Sequence, residues 1–142
     1  MKALVPALLL ASILFIGCGG NSTPPPPPPT ITGTWSGSAA SAVFGGSSGI
    51  KGNLVQGVTN PDGSILFSGT LNLTNSCITT LTITNGQVAG GQFSLTGGAQ
   101  DGTTFSISAT INAQDTAITG NWSDVAGNVC ATDHGTLSLT KQ

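Results

Sequence analysis

"GSILFSGTLNLT", residues 63–74, sets Ile65, Phe67, Gly69, Leu71 and Leu73 on one side of an extended chain and Leu66, Ser68, Thr70 and Asn72 on the other. A period of two with one apolar and one largely hydroxyl or amide face is the pattern of a half-buried antiparallel strand. "TTFSISATINA", residues 103–113, repeats it, with Phe105, Ile107, Ala109 and Ile111 opposed to Thr104, Ser106, Ser108 and Thr110. No segment beyond Ile31 carries a helical period. The abundance of Thr, Ile and Val there also favours strand.

Turn-forming clusters divide the chain on either side of this stretch. "FGGSSG", "NPDG", "NSC", "AGG", "GGAQDG", "AQDT" and "DVAGNVCATDHG" mark breaks between strands near 31–39, 49–58, 64–74, 79–89, 92–98, 103–113, 116–123 and 134–141. Gly, Asn, Asp and Ser dominate these clusters because they accept the backbone angles of tight turns. Asn85-Gly86 is a competing hairpin signal inside the fourth segment,. Short connections favour sequential antiparallel neighbours, so the chain is expected to be all-β, with an eight-stranded up-and-down barrel as the simplest closure. Closure also removes sheet edges that so few charges could protect. A two-sheet sandwich is the alternative. The expected inward set, which includes Ile31, Trp35, Leu54, Phe67, Phe93 and Trp122, is almost wholly apolar.

The composition narrows the function. Charged residues are 6% of the 142 residues, with neither Arg nor Glu and a net charge of −2. No basic patch is available to neutralise phosphates, so nucleic acid is not an expected partner.

Upstream of the barrel, Lys2 precedes an apolar run from Ala3 to Ile16, too short for a comfortable membrane span and laid out as an export signal,. Its end, Phe15-Ile16-Gly17-Cys18, resembles the bacterial lipobox, with Phe15 in place of the usual Leu. The resemblance implies a signal peptide over 1–17, cleavage before Cys18 and acylation of Cys18. Several acyl chains anchor firmly, since each buried CH₂ contributes about 0.8 kcal/mol. Residues 18–30 then form a proline-rich linker ahead of a barrel over 31–142. Its six prolines adopt an extended rod of about 3.1 Å per residue, roughly 19 Å in all. With Cys18 acylated, Cys77 and Cys130 remain, and an exported protein is expected to pair them,. Both fall in connections at the same end of a meander barrel, and the bridge would be worth about 4 kcal/mol in the chain-entropy account.

"ITGTW" at 31–35 is echoed by "ITGNW" at 118–122, and a regular meander would bring Trp35 and Trp122 to similar heights inside the barrel. Either ring could plug the core or touch a ligand. The Gly-x-Trp of the first strand resembles that of lipocalins, in which the Trp closes the barrel floor. "ITGTW" followed by eight short strands is also similar to the avidin and streptavidin barrels. Ser41 matches that family's polar ligand-binding type, whereas Gly37 stands where an Asn is usual. A third likeness is to the bacterial metalloprotease-inhibitor barrels, which share the Gly-x-Trp and one disulfide. The whole chain most resembles small bacterial lipoproteins with lipocalin- or avidin-like barrel domains, which implies a place in the cell envelope, at the outer membrane or cell surface.

Chemistry has few candidates. Ser123, Asp124, Asp133 and His134 share one stretch of the chain, which is too little to make a catalytic constellation, and no metal-ligand spacing or cofactor motif is present,. A non-enzymatic module, attached to the membrane by its lipid and free of cofactor and metal, is therefore the expectation. Because the first strand leaves the tether, the far end carries "SAASAVFGGSSG" and "DHG". Phe44, Asp133 and His134 are the expected contacts there for a protein or glycan. The alternatives are a lipocalin-like carrier of a small hydrophobic ligand and an inhibitor-like barrel.

Overall fold

The computed structural model describes residues 30–126 and 133–142. The expected signal peptide over 1–17, Cys18, the six consecutive prolines of the expected linker and Cys130 lie outside the described residues. Among those described, the chain forms β1 (Gly33–Ser41), β2 (Ser47–Thr59), β3 (Ile65–Thr74), β4 (Thr80–Ala89), β5 (Gln92–Ala99), β6 (Thr104–Ile111), β7 (Ala117–Ala126) and β8 (His134–Lys141). Each strand pairs antiparallel with the next, and β8 returns to β1, giving a closed up-and-down barrel rather than a sandwich.

The alternation that defines the strands also fills the barrel. Ile65, Phe67 and Leu71 of β3 and Phe105, Ile107 and Ala109 of β6 are buried with their counterparts from the other strands. Burial extends beyond the alternating strand positions to Ile78 in the β3–β4 connection. Phe67 stacks on Phe93 with ring centroids 4.9 Å apart. The two rings meet on the inner side of β4, over Gly86 and beside Val88, and help fill the interior,.

Strand limits depart from expectation mainly at the first hairpin. β1 starts at Gly33 rather than 31 and runs on to Ser41, because the turn closes tightly, with Ala40 facing Ser47 and the Ser41 N–H donating to Gly46 O at 3.2 Å. Gly45 and Gly46, at φ 69° and 84°, make that closure,. Asn85-Gly86 is not a hairpin. The register between β4 and β5 shifts between Ile83 and Asn85, and an outward bulge there keeps Leu81, Ile83, Gly86 and Val88 all inside,. A Cβ on Gly86 would sit 2.3 Å from the Phe67 ring, so that ring occupies the space a side chain would need.

Turns at the end of the barrel where β1 begins are closed by side chains. Asp62 accepts from both the N–H (2.9 Å) and hydroxyl (2.7 Å) of Ser64. At the far end Asp101 does the same for Thr103, at 2.9 Å for each bond. Both carboxyls are held below their ordinary pKa by these bonds, led by the Ser64 hydroxyl for Asp62 and by the Thr103 backbone for Asp101.

Candidate functional site

The two tryptophans do not share a height. Trp35 faces Lys141 across the β1–β8 pairing, whereas Trp122 and Ser41 both face Gly135 from opposite sides of β8. Trp122 is therefore level with Ser41, and the separation from Trp35 along β1 is about 20 Å at roughly 3.4 Å per residue. The stagger between strands of a tilted barrel moved equivalent motif positions to opposite ends.

Trp35 closes the end of the barrel where β1 begins. It is fully buried, its indole N–H donates to Ile31 O at 3.0 Å, and Lys141 Nζ lies 5.9 Å above its ring. Trp122 stands near the far end, stacked on Phe105 at 5.1 Å, with its N–H donating to Ala40 O at 3.2 Å.

Above the Trp122–Phe105 pair is a recess of about 40 Å³ bordered by Ser41, Ser48, Ser76, Ile78, Asp124 and Asp133. Deeper in the barrel the free space falls to about 10 Å³ among Ile50, Leu71, Leu81 and Leu137. The first volume admits a small head group and the second is at the limit for one water. Beside the recess an open groove of about 420 Å³ runs past Phe44, Ser47, Asn75 and Asp133.

Asp124 is positioned by β7 and Asp133 by the entry to β8. Asp133 is buried, and its Oδ1 accepts from the His134 N–H (2.7 Å), the Ser41 hydroxyl (2.9 Å) and the Val43 N–H (3.3 Å). The carboxylate thus ties the start of β8 to the β1–β2 hairpin, and His134 is engaged through its backbone while its side chain is exposed. Asp124 follows Trp122 by two residues and shares its inward face, opposite Phe105 in the β6–β7 pairing. Its backbone N–H donates to Asp133 O at 2.9 Å. Both Asp124 carboxylate oxygens are closed off from solvent and find no hydrogen-bond partner. The residue as a whole is only half-buried, so its exposure lies elsewhere than on those oxygens.

Desolvation, reinforced by the charges of Asp133 and Asp101, raises the Asp124 pKa from 3.8 to about 6,. The folded barrel therefore holds this proton more tightly than the unfolded chain. The stability contributed by protonated Asp124 is present in full below pH 3.8 and is lost as the pH rises through about 6,. Asp62 and Asp101, with lowered pKa values, act oppositely and favour the fold less as the pH falls below their ordinary 3.8. Asp124→Asn is expected to stabilise the barrel at neutral pH by about 1 kcal/mol after allowance for solvent screening. It should also flatten the decline in melting temperature between about pH 4 and 7. Thermal melts of both proteins across that range check this, and parallel curves would contradict the sign.

The residues expected at the far end are placed there, and they divide in character. Phe44 is exposed on the β1–β2 hairpin, Asp133 is built into the recess, and His134 points away from it. Ser123 pairs with His134 across β7 and β8 rather than with either carboxyl. Asp124 and Ile78 were not expected as site residues. A period of two counted from Trp122 would have brought Asp124 inside, whereas Ile78 had no strand pattern to mark it. Cys77 borders the recess and is not a free thiol. Among the described residues, no group of three or more His, Cys, Asp or Glu side chains is placed to hold a metal.

This geometry defines a closed eight-stranded antiparallel barrel with a filled interior and a small acidic recess at one end. No family model and no curated protein matches the chain. Among solved structures it is similar to a redesigned β-barrel, mFAP0, bound to DFHBI. That match has TM-score 0.50 and 11% identity, over 79% of this chain and 98% of that one. A de novo designed fluorescence-activating β-barrel aligns with TM-score 0.49 and 11% identity, over 78% of this chain and 93% of that one. At such identity the likeness to mFAP0 speaks for the fold alone.

Proposed function

We propose that the protein is a non-enzymatic, lipid-anchored module of a bacterial cell envelope whose working surface is the barrel end remote from the tether. The observation that carries this reading is the contrast between the two ends. The tether end is sealed by Trp35, Ile31 and Lys141, while the far end holds the partly polar recess, the Phe44 groove and exposed Val43 and Phe44. Specific binding draws on a few convergent polar groups among apolar walls, and among the described residues the far end combines them,. Acylation at Cys18 and the proline linker would hold this end away from the bilayer. A Cys77–Cys130 bridge would brace the β3–β4 and β7–β8 connections that flank it.

A second reading, a carrier of a small hydrophobic ligand, draws on the DFHBI bound by the similar barrel mFAP0. The interior space of about 10 Å³ is too small for such a guest without repacking,. One experiment with two arms separates the readings. Labelled palmitate should enter the wild-type chain and not Cys18→Ser, and a hydrophobic fluorescent probe should give no saturable, stoichiometric signal with the purified protein. Absence of label overturns the anchor, and saturable probe binding overturns the filled-barrel reading in favour of the carrier.

A further inference from the structure

We propose that the recess at the remote end receives a primary alkylammonium group, held by Asp124 and Asp133 above the Trp122–Phe105 ring pair. The assignment rests on that end being the working surface and names the chemistry it takes. It begins with a carboxylate that the described residues leave without compensation. Both oxygens of Asp124 are shut off from solvent with no hydrogen-bond donor, and its neighbour across the β7–β8 pairing is a second acid. A buried carboxylate in that position calls for a proton or a cation.

Among the described residues, no cation of the chain itself reaches the recess. Of its three Lys, Lys2 lies outside the described residues, and Lys141 is held at the opposite end by Thr30 O at 2.7 Å. Lys51 is exposed midway along β2, opposite Ser36 and Asn72. The charged groups acting on Asp124 are Asp133 and Asp101, both acidic, and the His134 side chain is directed outward.

Two features favour an ammonium over a metal ion. Calcium takes about six to eight oxygen ligands, whereas the recess offers two carboxyls, and Asp133 Oδ1 already accepts three hydrogen bonds from the protein. The recess is also walled on its inner side by stacked aromatic rings. Rings of this kind attract an organic cation and its methylene stem and offer nothing to a hydrated metal. The space of about 40 Å³ suits a single head group. The source could be a free amine or a lysine side chain of a protein partner, since both present the same group.

Titration of the full chain with n-butylammonium chloride, followed by tryptophan fluorescence, tests the assignment, because Trp122 borders the recess while Trp35 is sealed at the other end. A saturable response is expected at about pH 8. It should weaken about tenfold or more at about pH 4.5, where Asp124 is protonated, and in Asp124→Asn,. Tetramethylammonium, which has no N–H to donate, should respond far more weakly. A matching response to acetyl-lysine amide assigns the site to a protein side chain, and a response to butylammonium alone assigns it to a free amine. A response to calcium chloride alone, equal responses from wild type and Asp124→Asn, or no response from wild type at about pH 8 overturns the assignment. In each of those cases the anchored-module reading stands or falls separately on acylation and probe exclusion.

Discussion

Trp35→Ala should lower the stability of the barrel by about 4 kcal/mol, the range for removing a fully buried large aromatic side chain. The ring is inaccessible to solvent and sits where β1 begins, with Lys141 Nζ 5.9 Å above it. Its loss would open a cavity and also orphan Ile31 O, the acceptor of the indole N–H at 3.0 Å. The Lys141 Nζ bond to Thr30 O and the Gln142 N–H bond to Thr34 O hold the same corner and would lose the surface they pack against. For a domain of this size about 4 kcal/mol corresponds to a melting temperature lower by roughly 15–25 °C. Urea unfolding with an unchanged m-value would place the effect in the folded state. Trp35→Phe keeps much of the apolar volume and loses the hydrogen bond, so its cost should be about 1–2 kcal/mol. If Ala and Phe variants lose equally little, the floor is held by the Lys141 corner and not by the ring.

The same corner shows which parts of the molecule are legible in sequence. Alternation along residues 63–74 and 103–113 identifies the inward positions of β3 and β6 because each side chain's face is decided by its immediate neighbours,. The height of a residue in a closed barrel is not local. It depends on how far every strand slides past the next, and "ITGTW" and "ITGNW" carry no record of that slide. Asn85-Gly86 misleads for another reason, since neither residue takes the positive φ of a hairpin turn and the glycine instead leaves room for the Phe67 ring of the neighbouring strand,. The recess draws on β1, β2, β3, β6, β7, the β3–β4 connection and the residue before β8, which no single motif spans. Asp124 was available from the period of β7, but a search for apolar faces passes over a carboxylate that occupies one.

Gly120→Ala tests how tightly those slides are fixed, and it is expected to cost about 3 kcal/mol or more. Gly120 lies opposite Ala109 in the β6–β7 pairing, on the inward face two residues before Trp122. A Cβ there would meet Ala109 Cα at 2.3 Å, Ala109 Cβ at 2.4 Å and Ser108 O at 2.4 Å. Two of these are backbone atoms, and no rotamer change moves them. Relief requires the two strands to separate or to slip, and a slip of one residue would turn the inward residues of β7 outward. Trp122 and Asp124 are carried on that strand, so the damage should extend to the recess. Ala109→Gly in the same chain removes only one of the three close contacts, and partial recovery is expected, measurable as a coupling energy in a double-mutant cycle. Gly98→Ala is the matched control, because a Cβ there meets nothing within 4 Å and its φ is not positive. It should be neutral or stabilising by about 0.4–1 kcal/mol through the unfolded chain. Equal melting temperatures for Gly120→Ala and Gly98→Ala would mean that close strand approach does not require glycine at position 120.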